Sequence, residues 1–314
     1  GREALVALAC RADVVVESFR PGVVTALGVD AAALQAANPR LVCASITGYG
    51  QTGPRAAHAG HDINYLGYAG VLDQTGTRGG APALSNLQIA DLLGGAAPAA
   101  IAILAACFDA QRTGRGRAID VAMADAALAH NIFALHALEQ WGRTLPRGED
   151  LLTGGVPAYG VYGTADGRWL AVGALEPKFW QQVCATLGRP DLAPLGLATG
   201  DDGARARREV EAILAAQPLA HWVERFAEVD CCVTPVATLD EALADPQYAA
   251  RGMVVRDAAG TRQYAPPFRL SGHDFAIRRD APAQGQHSVE VLRESGYDDA
   301  AIAALVADGS VRTA

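Results

Sequence analysis

Leu41-Val42-Cys43-Ala44-Ser45-Ile46-Thr47 runs directly into Gly48-Tyr49-Gly50-Gln51-Thr52-Gly53-Pro54. A short apolar, partly β-branched run that stops at a glycine- and proline-rich stretch reads as a buried strand with a loop at its carboxyl end. Upstream, residues 12–19 form a similar run bounded by Arg20-Pro21-Gly22. Between the two, Asp30 is placed to cap a short helix that ends ahead of Asn38-Pro39. Strand, helix and strand at this spacing predict a parallel α/β unit. Open sheets of that kind bind ligands outside the carboxyl ends of their strands, so the loops at 18–22 and 48–54 are the first places to look for a site.

The remaining elements extend this pattern. Residues 1–11 read as the end of a helix. Residues 88–111 read as one buried helix, turned by Thr113-Gly114-Arg115-Gly116-Arg117. A brief strand over 118–123 and a second long helix over 124–141 follow, then a polar linker over 143–150. The texture then changes. Strand-like runs at 159–162 and 169–175 flank Ala165-Asp166-Gly167, a hairpin turn. An amphipathic helix is predicted over 177–187, with further helices near 204–216 and 218–228. The expected organisation is α/β: a large Rossmann-like domain with a parallel sheet over 1–154, and a smaller α+β domain over 155–255. A segment over 256–314 is expected to return to the large domain and to end in two short helices. The chain opens in mid-helix with no strand ahead of it, which predicts that an amino-terminal portion of the α/β domain is missing.

Composition narrows the function. Of 314 residues half are hydrophobic and 19% are charged, enough for a sizeable core. A formal net charge of −8 with no basic stripe argues against nucleic acid or an anionic membrane as a partner. The local basic spot at Arg112, Arg115 and Arg117 reads as a solvated helix end or as a contact for a phosphorylated small molecule. Six cysteines without a CxxC pair read as unpaired thiols in a reducing, cytoplasmic setting. The apolar run over 92–108 is about one membrane span long, but Gly94, Gly95 and Pro98 interrupt it, so a core helix is the better reading. Walker, dinucleotide, Gly-x-Ser-x-Gly and metal-ligand patterns are all missing from the sequence.

Three side chains suited to proton chemistry stand in separate motifs. His61 lies in Gly60-His61-Asp62-Ile63-Asn64-Tyr65, where Asp62 or Asn64 is placed to cap a helix. Asp91 opens Asp91-Leu92-Leu93-Gly94-Gly95, near the N-cap of the long helix. Capping alone accounts for such an aspartate at ~1 kcal/mol. The same geometry offers amide N–H groups to a developing oxyanion. Glu176 precedes Pro177 at a strand–helix junction, where it either meets the helix dipole or orients His61. One imidazole and two carboxylates are equipment for moving a proton on and off carbon.

These motifs together resemble family III CoA transferases of the CaiB/BaiF type. The resemblance rests on Gly60-His61-Asp62-Ile63-Asn64-Tyr65, on 48–54, on Ser18-Phe19-Arg20-Pro21-Gly22, and on 91–95 and 113–116. Asp166-Gly167, residues 230–236, Asp245-Pro246 and Arg251-Gly252-Met253 extend it over essentially the whole chain. Within the family it is most similar to the α-methylacyl-CoA racemase branch. The resemblance implies His61 and Asp91 as the acid/base pair, with Glu176 hydrogen-bonded to His61. It implies that Ser18, Phe19, Arg20, Gly60, Asp62, Ile63, Asn64 and Tyr65 line the CoA site. It also implies an acyl-CoA substrate whose coenzyme A is part of the thioester, no tightly bound cofactor, and an interlocked homodimer. Racemases of the family carry a basic residue where this chain has Ala26. CoA transfer through an acyl-Asp91 anhydride is the alternative chemistry that the family implies.

Overall fold

The computed structural model describes residues 1–314, which divide into two compact units: 1–148 with 283–314, and 149–282. The first unit begins with helix α1 (Arg2–Ala9) and strand β1 (Val14–Glu17), followed by α2 (Ala31–Ala37) and β2 (Val42–Thr47). Asp30 caps α2 by accepting the Ala33 N–H at 2.9 Å. Asn38 ends that helix, and its side-chain amide donates to the carbonyls of Ala9 and Ala12 at 3.0 and 3.1 Å. One asparagine thereby ties the ends of α1 and α2 together. Next come α3 (Asp62–Tyr68), α4 (Ala90–Thr113) and β3 (Ala118–Ala122).

The three strands form a parallel sheet in the order β1-β2-β3, with Thr47 opposite Ala122. Successive side chains of the central strand point to opposite faces. Leu41 and Cys43 pack with Ala9 and Leu34, whereas Val42 packs with Ala106 and Ala110 of α4. Helices therefore cover both faces, as a parallel sheet requires.

The structure departs from two sequence expectations in this unit. The apolar run does form one helix of 24 residues, long and apolar enough to cross a membrane. It is not buried, because Ile101, Leu104 and Phe108 are 69%, 71% and 62% exposed. Ala90, Gly94, Gly95, Ala99, Ala106 and Ala110 are its buried positions, so α4 meets the rest of the unit through small residues and turns its large ones outward. Apolar composition without periodicity does not reveal that facing. The helix predicted over 124–141 is also two, α5 (Met123–His130) and α6 (Ile132–Trp141), which meet at Asn131 with ψ 45°. The Asn131 side chain donates to the distant Ala69 carbonyl at 3.2 Å, a tie that no helical pattern announces.

In the second unit β4 (Tyr159–Gly163) and β5 (Trp169–Gly173) pair as an antiparallel hairpin. Helices α7 (Pro177–Thr186), α8 (Gly200–Leu214) and α9 (Leu219–Phe226) precede β6 (Val233–Pro235), which joins the free edge of β5. At the hairpin the Thr164 hydroxyl donates to Asp166 and holds its carboxyl below the usual range. The unit extends to residue 282, beyond the 155–255 span read from sequence. A ribbon of β7 (Val254–Arg256) and β8 (Arg262–Tyr264) belongs to it. The final helices, α10 (Ser288–Glu294) and α11 (Asp299–Ala307), belong to the first unit.

Trp180 anchors the second core. Its ring is almost fully buried, and its indole N–H donates to the Leu192 carbonyl at 3.0 Å. Trp180→Ala is expected to destabilise this unit by about 3–5 kcal/mol, read as a lower urea midpoint. A loss below about 1 kcal/mol contradicts the assignment of Trp180 as its anchor.

Candidate active site

A cleft of about 590 Å³ lies in the first unit, at the carboxyl ends of the parallel strands. Ser18, Phe19 and Arg20 contribute from the turn after β1, and Thr47 from the last position of β2. Gly60, His61, Asn64 and Tyr65 contribute from the start of α3. Asp91 and Met123 join the lining from the starts of α4 and α5.

The peptide between Gly60 and His61 is clamped at both of its polar atoms. The His61 N–H donates to Asn64 Oδ1 at 3.0 Å, and the Gly60 carbonyl accepts from the Tyr65 hydroxyl at 2.6 Å. Position 60 must be glycine, because a Cβ there would lie 2.7 Å from Cε1 of Tyr65 and 3.0 Å from the Tyr49 hydroxyl. Two residues within the motif, Asn64 and Tyr65, thus hold the backbone from which the imidazole projects.

Asp62 does something the sequence did not foretell. It is buried, and its Oδ1 accepts the N–H groups of Ala90 and Asp91 at 2.6 and 3.1 Å. The residue after His61 therefore caps the helix that carries Asp91. This corrects the expected oxyanion site at the start of α4. The Ala90 and Asp91 N–H groups are taken by Asp62, and the Leu92 N–H bonds to the Gln88 carbonyl at 3.0 Å. Asp91 also lies inside the first turn, with Ile89 at the cap position, and the turn is π-helical over Ala90–Ala96.

Partial burial pushes the Asp91 carboxyl above its ordinary range, and the nearby Asp62 carboxylate raises it further. His61 acts in the opposite direction, so the two candidate reacting groups lie close enough for their charges to interact. Burial also raises the Tyr65 phenol, with Tyr49 and Asp91 adding to the effect. Thr47 is buried and its hydroxyl has no protein partner.

Of the eleven candidate residues, eight line this cleft. Asp62 lies behind it as a cap, and Ile63 is 43% exposed away from the lining. Glu176 belongs to the second unit, at the N-cap of α7, where its carboxylate makes no capping hydrogen bond. Thr47, His58 and Met123 line the cleft without having been singled out from sequence. For Thr47 the signal was available: it is the last residue of the decisive strand, where parallel sheets present ligand contacts.

The model for CoA-transferase family III matches residues 1–288, and the chain belongs to this family. It is 35% identical to alpha-methylacyl-CoA racemase from Homo sapiens, over 98% of this chain and 81% of that protein. It is also 31% identical to acetyl-CoA:oxalate CoA-transferase from Acetobacter aceti, over 92% and 75% of the two chains. The crystal structure of a CAIB/BAIF family protein from Brucella suis superposes with a TM-score of 0.80 at 28% identity, covering 94% of this chain and 78% of that one. The chain is thus an enzyme of the family III CoA-transferase and racemase type.

The cap supplies a pH test. Asp62→Asn keeps an Oδ1 acceptor for both N–H groups but removes a negative charge that raises the Asp91 carboxyl. The Asp91 pKa then falls, so any step that needs protonated Asp91 is lost at a lower pH than in wild type. A pH–rate profile whose limb is unmoved, or moves upward, contradicts this coupling.

Proposed function

We propose that the chain racemises or epimerises 2-methylacyl-CoA thioesters by 1,1-proton transfer at the α-carbon. One observation carries the reading: an imidazole and a carboxyl, His61 and Asp91, line a single cleft within reach of each other's charge. The thioester carbonyl acidifies the α-hydrogen. Neutral His61 takes that proton on one face, the electrons move into an enolate, and protonated Asp91 returns a proton to the other face. The reverse direction starts from ionised Asp91 and protonated His61. The raised Asp91 carboxyl supports the acid role, because the protonated form then persists to higher pH. With the α4 amides already bonded and the Asn64 N–H held by the His61 carbonyl, the enolate oxygen is assigned to the Asp62 and Ile63 N–H groups at the start of α3.

Coenzyme A enters as part of the substrate and no tightly bound cofactor is required. Ser18, Phe19 and Arg20 are assigned to its arm and phosphates, with Gly60, Asn64 and Tyr65 nearer the thioester. The free state of all six cysteines supports a reducing compartment, and we assign the enzyme to the cytoplasm. No nucleic acid or membrane partner is needed. The packing of α4 through Ala106 and Ala110 against Val42 of the sheet supports a helix of this unit over a membrane span.

The exposed Ile101, Leu104 and Phe108, with Phe133 and Trp141 of α6, support a homodimer in which a second copy covers them. In the interlocked arrangement Glu176 of one copy serves His61 of the other. Subunits carrying His61→Ala and Glu176→Ala, each inactive alone, are then expected to regain turnover when co-assembled. Absence of complementation in confirmed mixed dimers removes the shared site.

The similarity to CoA transferases over most of the chain, together with the accessible Asp91 carboxyl, supports a second reading. There ionised Asp91 attacks the thioester carbonyl and CoA thiolate departs. The new carboxylate then takes the acyl group from the anhydride, freeing Asp91, and CoA thiolate attacks the new acid's carbonyl, releasing the first acid as its carboxylate. Exchange of the α-hydrogen in D₂O separates the two. Proton transfer predicts exchange that falls about 10²–10⁴-fold in His61→Ala and in Asp91→Ala. A new thioester with a second carboxylic acid, formed equally well by His61→Ala, establishes transfer instead.

A further inference from the structure

Helix α4 opens with the π-helical segment Ala90–Ala96, which continues into ordinary α geometry at Ala97. A π turn holds one residue more than an α turn and is rare without outside support. Support is present at two points of this one. At its start, the Asp62 carboxylate holds the N–H groups of Ala90 and Asp91. At its middle, Gly94 approaches the β3–α5 junction so closely that a Cβ would lie 2.9 Å from the Met123 carbonyl oxygen. A backbone oxygen at a strand–helix junction cannot swing aside. Gly95 differs in kind: a Cβ there would meet Cγ and Sδ of the Met123 side chain at 3.1 and 3.3 Å, atoms free to rotate away.

We propose that Gly94 is a positioning residue for Asp91, its contact with the Met123 carbonyl keeping the segment π-helical and the Asp91 carboxyl aimed into the cleft. Return to α geometry removes one residue from the turn. Residues ahead of the adjustment then rotate by about 100° and shift by about 1.5 Å along the axis. Asp91 stands ahead of it, so either its carboxyl leaves the cleft wall or the Asp62 cap breaks. The inference rests on the reading of Asp91 as the reacting carboxyl, and it holds for proton transfer and anhydride formation alike.

Helix propensity makes the test sharp, because Gly→Ala inside a helix is ordinarily stabilising. Gly94→Ala, Gly95→Ala and Asp91→Asn are compared with wild type by kcat and KM, CoA affinity by calorimetry, and thermal unfolding. Turnover is read as α-hydrogen exchange or, where wild type transfers CoA, as new thioester. Gly94→Ala is expected to lose about a hundredfold in kcat, the cost of an ångström-scale misplacement. Its CoA affinity and cooperative unfolding stay as in wild type, and Gly95→Ala keeps most of its turnover. Full turnover in Gly94→Ala overturns the proposal. So does a Gly94→Ala chain that fails to fold or loses CoA affinity in step with kcat, because the contact then serves the fold and not the aim of Asp91. Turnover retained in Asp91→Asn sinks the reading of Asp91 itself. Turnover lost there but kept in Gly94→Ala removes the role of Gly94 alone.

Discussion

The buried Asp62 carboxylate is the constraint on which the site depends. It ties the start of α3 to the start of α4 through two amide hydrogen bonds. His61 is its chain neighbour on one side, and Asp91 donates one of those two bonds. The relative placement of the two candidate reacting groups is therefore fixed through this short side chain, alongside the packing of Tyr65, Leu66 and Ala69 against Ala90 and Ala127. A buried carboxylate is costly without partners, and here the helix-start amides supply them where the dipole favours negative charge. The same bond that fixes geometry also fixes electrostatics, since Asp62 raises the carboxyl it positions.

Around that tie the backbone leaves little freedom. The Gly60–His61 peptide is held at its N–H and at its carbonyl by two residues of the following turn. Tyr65 fits only because positions 48 and 60 both have no side chain. The Asp91 segment is wedged between its cap and the β3–α5 junction. Preorganisation of this kind suits a reaction in which a small planar intermediate must be met from both faces. In the loop after β1 Phe19 is exposed, its N–H held by the neighbouring Glu17 side chain at 2.8 Å.

The parallel core was legible because its signals are local. β-branched runs, the Asp30 cap and the Asn38-Pro39 stop lie within a few residues of the elements they define. His61 and Asp91 stood out for the same reason, each in a compact motif. What the sequence concealed was action at long range. Asp62 caps a helix that starts 28 residues later, and Asn131 breaks a helix to reach a carbonyl 62 residues away. Neither partner is visible in a window. The facing of α4 was hidden for another reason, since an alanine-rich apolar run has no polar stripe to mark its outside. Its π turn leaves no trace in composition beyond two adjacent glycines.

The electrostatics of Asp91 bear on which of the two reactions the cleft suits. An aspartate that attacks a thioester carbonyl must be ionised, and a neighbouring carboxylate works against that. A proton donor needs the opposite, a carboxyl kept protonated to higher pH than usual, which burial and Asp62 both favour. His61 pulls the other way when it carries a proton, and in proton transfer it does so only once it has taken one. In the proposed transfer each group's charge then prepares the other for the return step: a positive charge on His61 favours ionised Asp91, and its loss favours the protonated carboxyl. A nucleophilic aspartate has no use for that alternation, so the raised Asp91 carboxyl is in keeping with the proposed proton transfer.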